Sequence, residues 1–315
     1  MQSLPTTIPN FTASLGGLNP DTVRMYEGVL HDYVRWTALR PGIENGQLTE
    51  ASVRSYIQYL DENNYAVRTQ TKLLTILSRY SNWAVSKHLL PHNPINNIER
   101  PAIVQGSPRE LDEEQQDILK NMIEVQCSLR EQVIFVLGYW AGMRISEIAN
   151  LQVGDCNLNQ RVGTLTLRNS KGGKTRTIDL HNQARRLLYE YLYEDSTEKD
   201  AHNRDSSYVF SSQRAAWMRR QGKPDNLSTR GVSHIWKKMK ERASAKHYEH
   251  IADITFHDLR HDFAHRARQS GWNLEEIAVY LGHQTKDGTP AITTTARYTQ
   301  PGRKQIRARL QKLKG

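Results

Sequence analysis

Between Gly163 and Arg168, Leu165 and Leu167 alternate with Thr164 and Thr166, and after Gly172-Gly173 the extended pattern resumes from Thr175 to Leu180. A period of two places successive side chains on opposite faces of a strand, and a glycine pair turns the chain. The stretch reads as a β-hairpin with lysines at its tip. Almost everywhere else apolar residues recur every three or four positions, the period of a helix. A further short strand is expected only at Tyr208-Val209-Phe210. The expected fold class is therefore mainly α with a small β-hairpin or sheet (α+β).

The helices fall into two groups. Residues 1–18 are rich in Thr, Ser, Gly and Pro and read as frayed. Asn19-Pro20 starts a helix to about Leu39 carrying Val23, Tyr26, Leu30, Tyr33 and Trp36 on one face. Thr49 caps a second, with Val53, Ile57 and Leu60, and a third runs from about Ala66 to Leu89 until Pro91 and Pro94 stop it. The aromatics here, Tyr56, Tyr59, Tyr80 and Trp83 among them, read as core. Residues 96–110, with two prolines and no period, read as a linker. The expected organisation is a helical domain over 1–100, a linker over 101–110 and a larger domain over 111–315. In the latter, buried helical patterning over Gln132–Trp140 breaks at Gly142. A polar loop is expected over 219–229, and helices over 182–194, Val232–Ala243, His257–Ser270, Leu274–Leu281 and from Thr293. Ile306, Leu310 and Leu313 mark a terminal basic helix.

Charge is uneven. The chain carries a formal +10, but residues 1–100 hold nine Lys/Arg against eight Asp/Glu. The surplus lies beyond them, with six basic residues and no acid in 301–315. That distribution fits a polyanionic partner, nucleic acid before membrane. No apolar run reaches the ~20 residues a membrane span needs, and Met1–Asn10 lacks the pattern of a signal peptide, so a cytoplasmic location is expected. Cys127 and Cys156 stand in unrelated contexts and read as reduced thiols, without the spacing of a zinc site.

Several residues could carry chemistry. His257, His261 and His265 fall on one helix face, a spacing that can bind metal. No HExxH pattern accompanies them, and the guanidinium of Arg260 among them would repel a divalent cation. The alternative pairs His257 with Arg260 on one phosphate and leaves the other two histidines structural. Arg144 sits between two apolar helices, where an unpaired charge is costly unless it faces an anion, and Glu147, one turn on, braces it or its helix. Lys171 and Lys174 flank the glycine turn, where a lysine could protonate a leaving oxygen. His283 follows a helix stop, and Tyr298 would need positive surroundings to ionise as a nucleophile. In the helical domain Arg68, Lys72, Arg79 and Lys87 recur along one helix and are candidates for phosphate contact, against the plainer reading of a solvated face.

Ala141-Gly142-Met143-Arg144-Ile145-Ser146-Glu147, Ser170-Lys171-Gly172-Gly173-Lys174-Thr175-Arg176, His257-Asp258-Leu259-Arg260-His261, Leu281-Gly282-His283 and Ala296-Arg297-Tyr298 together resemble, in order and rough spacing, the tyrosine recombinase (phage integrase) family. The resemblance covers about 108–315. Residues 15–97, with Asn93-Pro94-Ile95, look like the family's core-binding domain. The stretch between His283 and Tyr298 is longer than in compact Xer-type members, with 286–290 looking inserted, which leaves open whether Tyr298 acts in cis or in trans.

The resemblance implies a site-specific DNA recombinase. Tyr298 would form a 3′-phosphotyrosyl link, Arg144 and Arg260 would hold the phosphate, His283 would stabilise the transition state, Lys171 would be general acid and His257 would assist proton transfer. It implies no metal, no ATP and no other cofactor. It also implies double-stranded DNA sites, a homo-tetramer on DNA with the C-terminal helix docking on a neighbouring subunit, and a cytoplasmic, nucleoid-associated enzyme of a mobile element. A non-catalytic DNA-binding protein and a type IB topoisomerase are the alternatives.

Overall fold

The computed structural model describes residues 4–100, 109–170, 174–194, 207–285 and 287–297. The chain divides into two units, 1–105 and 106–315.

In the first unit the N-terminal stretch is a helix, not a frayed segment: α1 (Leu4–Ala13) buries Leu4, Ile8 and Phe11. Its apolar positions are spaced as i, i+4 and i+7, and the Thr/Pro-rich residues between them masked that stripe. Phe11 meets Tyr80 edge-on at 5.3 Å between ring centres. The next helix, α2 (Pro20–Ala38), starts where expected, Asn19 accepting the Asp21 N–H through its side chain. A Thr49/Ser52 capping box opens α3 (Glu50–Glu62), and α4 (Val67–Ser86) follows. Tyr33, Trp36, Tyr56 and Tyr80 are buried in one core, and Tyr26, Tyr59 and Trp83 pack against it. Asn93 closes the unit, its amide donating to the Ser78 carbonyl at 3.2 Å and to Asn82 at 2.8 Å.

The second unit begins with α5 (Glu113–Gln126) and α6 (Leu129–Tyr139). Every residue of α6 from Val133 to Tyr139 is buried, so it forms the centre of the core. After a short helix, α7 (Ile145–Ala149), come β1 (Cys156–Leu158), β2 (Gly163–Ser170) and β3 (Lys174–Asp179). They form one antiparallel sheet in the order β1-β2-β3, with Leu165 opposite Cys156 and Ile178. The expected hairpin is thus β2–β3, its turn at 171–173 lies outside the described residues, and β1 adds an edge strand too short to show a period.

The expected helix over 182–194 is α8 (Asn182–Tyr189) continued by a π-turn, Glu190–Glu194. Tyr208–Phe210 is not a strand; it makes an isolated bridge from Tyr208 to Gln152. The segment expected as loop holds part of α9 (Ala215–Arg220). Then follow α10 (Thr229–Lys240), α11 (Ala245–Ile251), α12 (Phe256–Gln269), α13 (Leu274–Leu281) and α14 (Ile292–Arg297). The terminal basic helix expected around Ile306, Leu310 and Leu313 lies outside the described residues. Cys127 and Cys156 are free thiols. Among the described residues no helix is long and apolar enough to cross a membrane.

Candidate active site

Arg144 stands at the N-cap of α7, where its own N–H donates to the Glu147 carboxylate at 2.9 Å. Its guanidinium donates to the same carboxylate at 2.8 Å and reaches the Gly282 carbonyl at 3.4 Å. Gly142, just upstream, has φ +57°, and a Cβ there would fall 2.7 Å from Leu281 and 2.8 Å from Phe263. Only glycine lets the chain turn from α6 into α7 in that space.

The Gly142 carbonyl accepts from Arg260 at 2.6 Å. A Thr255/Asp258 capping box starts α12, so the threonine and aspartate of this segment set the helix that aims Arg260 inward. Arg260 is only 1% exposed. It also donates to the Leu281 carbonyl at 2.6 Å and lies 3.0 Å from Nε2 of His283.

His283 is delivered by the end of α13. Gly282 takes φ +66°, and the His283 N–H returns to the Ala278 carbonyl at 2.8 Å, closing the helix. A guanidinium has no acceptor, so Nε2 of His283 accepts from Arg260 and Nδ1 carries the proton, directed at Thr295 Oγ1 3.0 Å away. Burial first, then the charges of Arg260, Arg144 and Arg176, push the imidazole down to about 3. His283 is neutral at physiological pH.

Arg176 is the member that sequence reasoning passed over. It projects from β3 and donates to Glu147 at 2.8 and 3.1 Å and to the Tyr280 carbonyl at 2.9 Å. It packs under Gly282, where a Cβ would come within 2.8 Å of it. Burial alone would raise the Glu147 pKa; the bonds and charge of Arg176, with Arg260 and Arg144, outweigh it and hold it at about 2. Three guanidiniums thus surround one buried carboxylate.

His257 opens α12 and is accessible to solvent. Crowding around its ring, then Arg260 and Arg144, lower its pKa. His261 packs edge-on to it at 4.4 Å and is pushed to about 4 by burial and by His257. His265 is buried, 3.8 Å from the Glu110 carboxylate.

Residues 109–304 match the model of the phage integrase family. The chain belongs to that family. Among similar proteins are tyrosine recombinase XerD of Shewanella oneidensis, 28% identical over 94% of this chain and 90% of that one, and tyrosine recombinase XerA of Pyrococcus horikoshii, 27% identical over 95% and 90%. The structure of the Tn1549 transposon integrase in complex with circular intermediate DNA superposes with a TM-score of 0.68, at 14% identity over 98% of this chain and 99% of that one, a likeness of fold.

In this chain the structure brings Arg144, Arg260 and His283 together and sets His257 within the field of both arginines. Lys171 and Tyr298 lie outside the described residues, as does the side chain of Lys174. In the first unit Arg68 and Lys72 line a groove of about 270 Å³ with Met25, Tyr26, Thr71 and Thr75. Arg79 sits beside it, donating to the Tyr26 hydroxyl at 3.2 Å. Lys87 caps the far end of α4, away from that groove.

Proposed function

We infer that this integrase is a site-specific DNA recombinase that cuts and rejoins strands through a 3′-phosphotyrosyl intermediate. One observation carries the reading: three guanidiniums share one buried carboxylate, leaving positive charge that an incoming anion would balance. A phosphodiester is such an anion, and arginine's fork suits it.

In the proposed step the Tyr298 oxygen attacks phosphorus while the bond to the 5′ oxygen breaks. His257 takes the tyrosine proton and Lys171 supplies one to the leaving oxygen. Arg144, 19% exposed, is the guanidinium an arriving phosphate meets first. Arg260 is covered, so its contact with phosphate requires neighbouring groups to shift as DNA binds. Neutral His283 adds no charge but fixes Arg260, its Nε2 accepting from that guanidinium while its Nδ1–H is held by Thr295, so it acts on the phosphorane through Arg260. The phosphotyrosine conserves the ester energy, so rejoining needs no nucleotide.

DNA is the partner. Residues 1–100 serve as the core-binding domain, with the Arg68/Lys72 groove and Lys174 on the phosphate backbone, and 111–315 as the catalytic domain. A tetramer joined by the C-terminal helix, acting on mobile-element DNA at the nucleoid, completes the proposal.

The test is covalent trapping. Wild type and Tyr298→Phe are incubated with nicked duplexes covering DNA around the protein's own gene, in EDTA, and run on denaturing gels. An adduct from wild type alone is expected. An adduct that survives in Tyr298→Phe removes the nucleophile assignment, and DNA binding with no adduct removes the reaction.

A further inference from the structure

Residues 211–227 leave the core and return to it at one point. Ser211 bridges Asn226, and the Leu227 N–H donates to the Phe210 carbonyl at 2.8 Å. The excursion is anchored at the far end of the helix that begins with Arg144. Its Asn226 amide donates to the Ala149 carbonyl at 3.2 Å and to Asn150 at 3.0 Å. At 1.5 Å per residue that anchor lies roughly 8 Å along α7 from Arg144.

The excursion carries four basic residues, Arg214, Arg219, Arg220 and Lys223, against one carboxylate, Asp225. Arg219 pairs with Asp225 at 2.5 Å and ties the loop to itself. Arg214, Arg220 and Lys223 are exposed and have no carboxylate partner among the described residues. Among them Trp217 is 53% exposed. The Lys223 ammonium lies 5.5 Å from its ring centre, which orders the indole in solvent. A solvated loop gains nothing by presenting a tryptophan among unpaired cations. A surface that meets sugar and phosphate gains from both.

We propose that the 211–227 excursion is a second DNA contact of this integrase, flanking the cleavage site. Arg214, Arg220 and Lys223 neutralise backbone phosphates, and the Trp217 ring packs on deoxyribose. This rests on the recombinase reading, since it takes DNA to be bound at Arg144.

The test compares full-length proteins binding a fluorescein-labelled 40-bp duplex of arbitrary sequence across a salt series. Each phosphate neutralised steepens the log–log salt slope by about 0.9. The triple variant R214Q/R220Q/K223Q is expected to have a slope shallower by about 2–3. A control of equal charge change in the first unit, R24Q/R35Q/R54Q, is expected to move it less, because those arginines are already ion-paired. Trp217→Ala is expected to weaken binding about fivefold and Trp217→Phe to restore most of it. An unchanged slope in the first triple, or equal shifts in both, overturns the contact. Wild type that fails to bind the duplex overturns the recombinase reading with it. Binding by wild type with an unchanged first triple overturns the excursion's role alone.

Discussion

Glu147 stays ionised in a buried position because arginines from three elements converge on it, and Arg176 contributes the most among them. Its bidentate bond joins β3 to α7, and its bond to Tyr280 joins both to the end of α13. Removing it leaves a buried carboxylate short of its main partner and frees Arg144 to tilt. Arg176→Met is therefore expected to lose roughly 3 kcal/mol in urea unfolding. Single-turnover adduct formation should slow more than tenfold, with DNA affinity within about twofold of wild type. Arg176→Lys keeps the charge but not the fork and should fall between. Cleavage at the wild-type rate in Arg176→Met would show that the guanidinium positions nothing. Gly282→Ala should behave similarly, because it forces a side chain into φ +66° and against Arg176. Arg144 and His283 stand out in the sequence because each lies near a glycine at a helix boundary, and Arg260 because it falls one helical turn after His257. Arg176 does not. It is one residue in a polar strand, 29 positions from the carboxylate it serves, and no local pattern distinguishes it. Thr295, which orients His283, is hidden for the same reason.

On the scale of elements, α12 and the turn that ends α13 carry histidines that fold neutral. His283 is depressed to about 3 and His261 to about 4, with His257 also lowered, from an ordinary 6.5. Between those values and 6.5 the unfolded chain binds more protons than the folded one, so stability rises with pH through that window. It is complete above about 6.5 and is lost as acid approaches pH 4. Asp262, raised by burial, works in the opposite sense nearer the carboxylate range and does not cancel three histidines at pH 5 to 6. The thermal midpoint of the 106–315 unit should fall steadily from pH 7.5 to 5; a flat or rising midpoint would mean that these imidazoles are not held neutral. The bounds of α13 were legible because Asn273 caps it and Gly282 ends it. α9, α11 and β1 were not, since elements of six, seven and three residues carry too few positions to show a period. α1 was long enough, but its Thr/Pro-rich composition outweighed its apolar spacing.

For the whole molecule, the apolar residues separate into one core within 1–105 and others within 106–315. Each unit has a buried cluster of its own among the described residues, and so its own reason to stay folded. Phe11→Ala deletes a side chain packed between Tyr80 and Trp83 and should cost the first unit about 3–5 kcal/mol. Acid should instead weaken the second unit, where the depressed histidines lie. Perturbations of separate cores with no shared partners add. Calorimetry of the full chain should then resolve two transitions, one moved by Phe11→Ala at pH 7.5 and the other by pH 5 in wild type, with the variant at pH 5 showing both shifts unchanged in size. A single transition that both perturbations move together would mean that the units unfold as one body, and the proposed division of core-site binding and chemistry between them would lose its physical basis. Independent transitions would let the same Phe11→Ala protein answer a functional question. At a temperature where only its first unit is unfolded, DNA affinity should collapse while the Arg144–Glu147–Arg176 cluster keeps the second unit's stability intact.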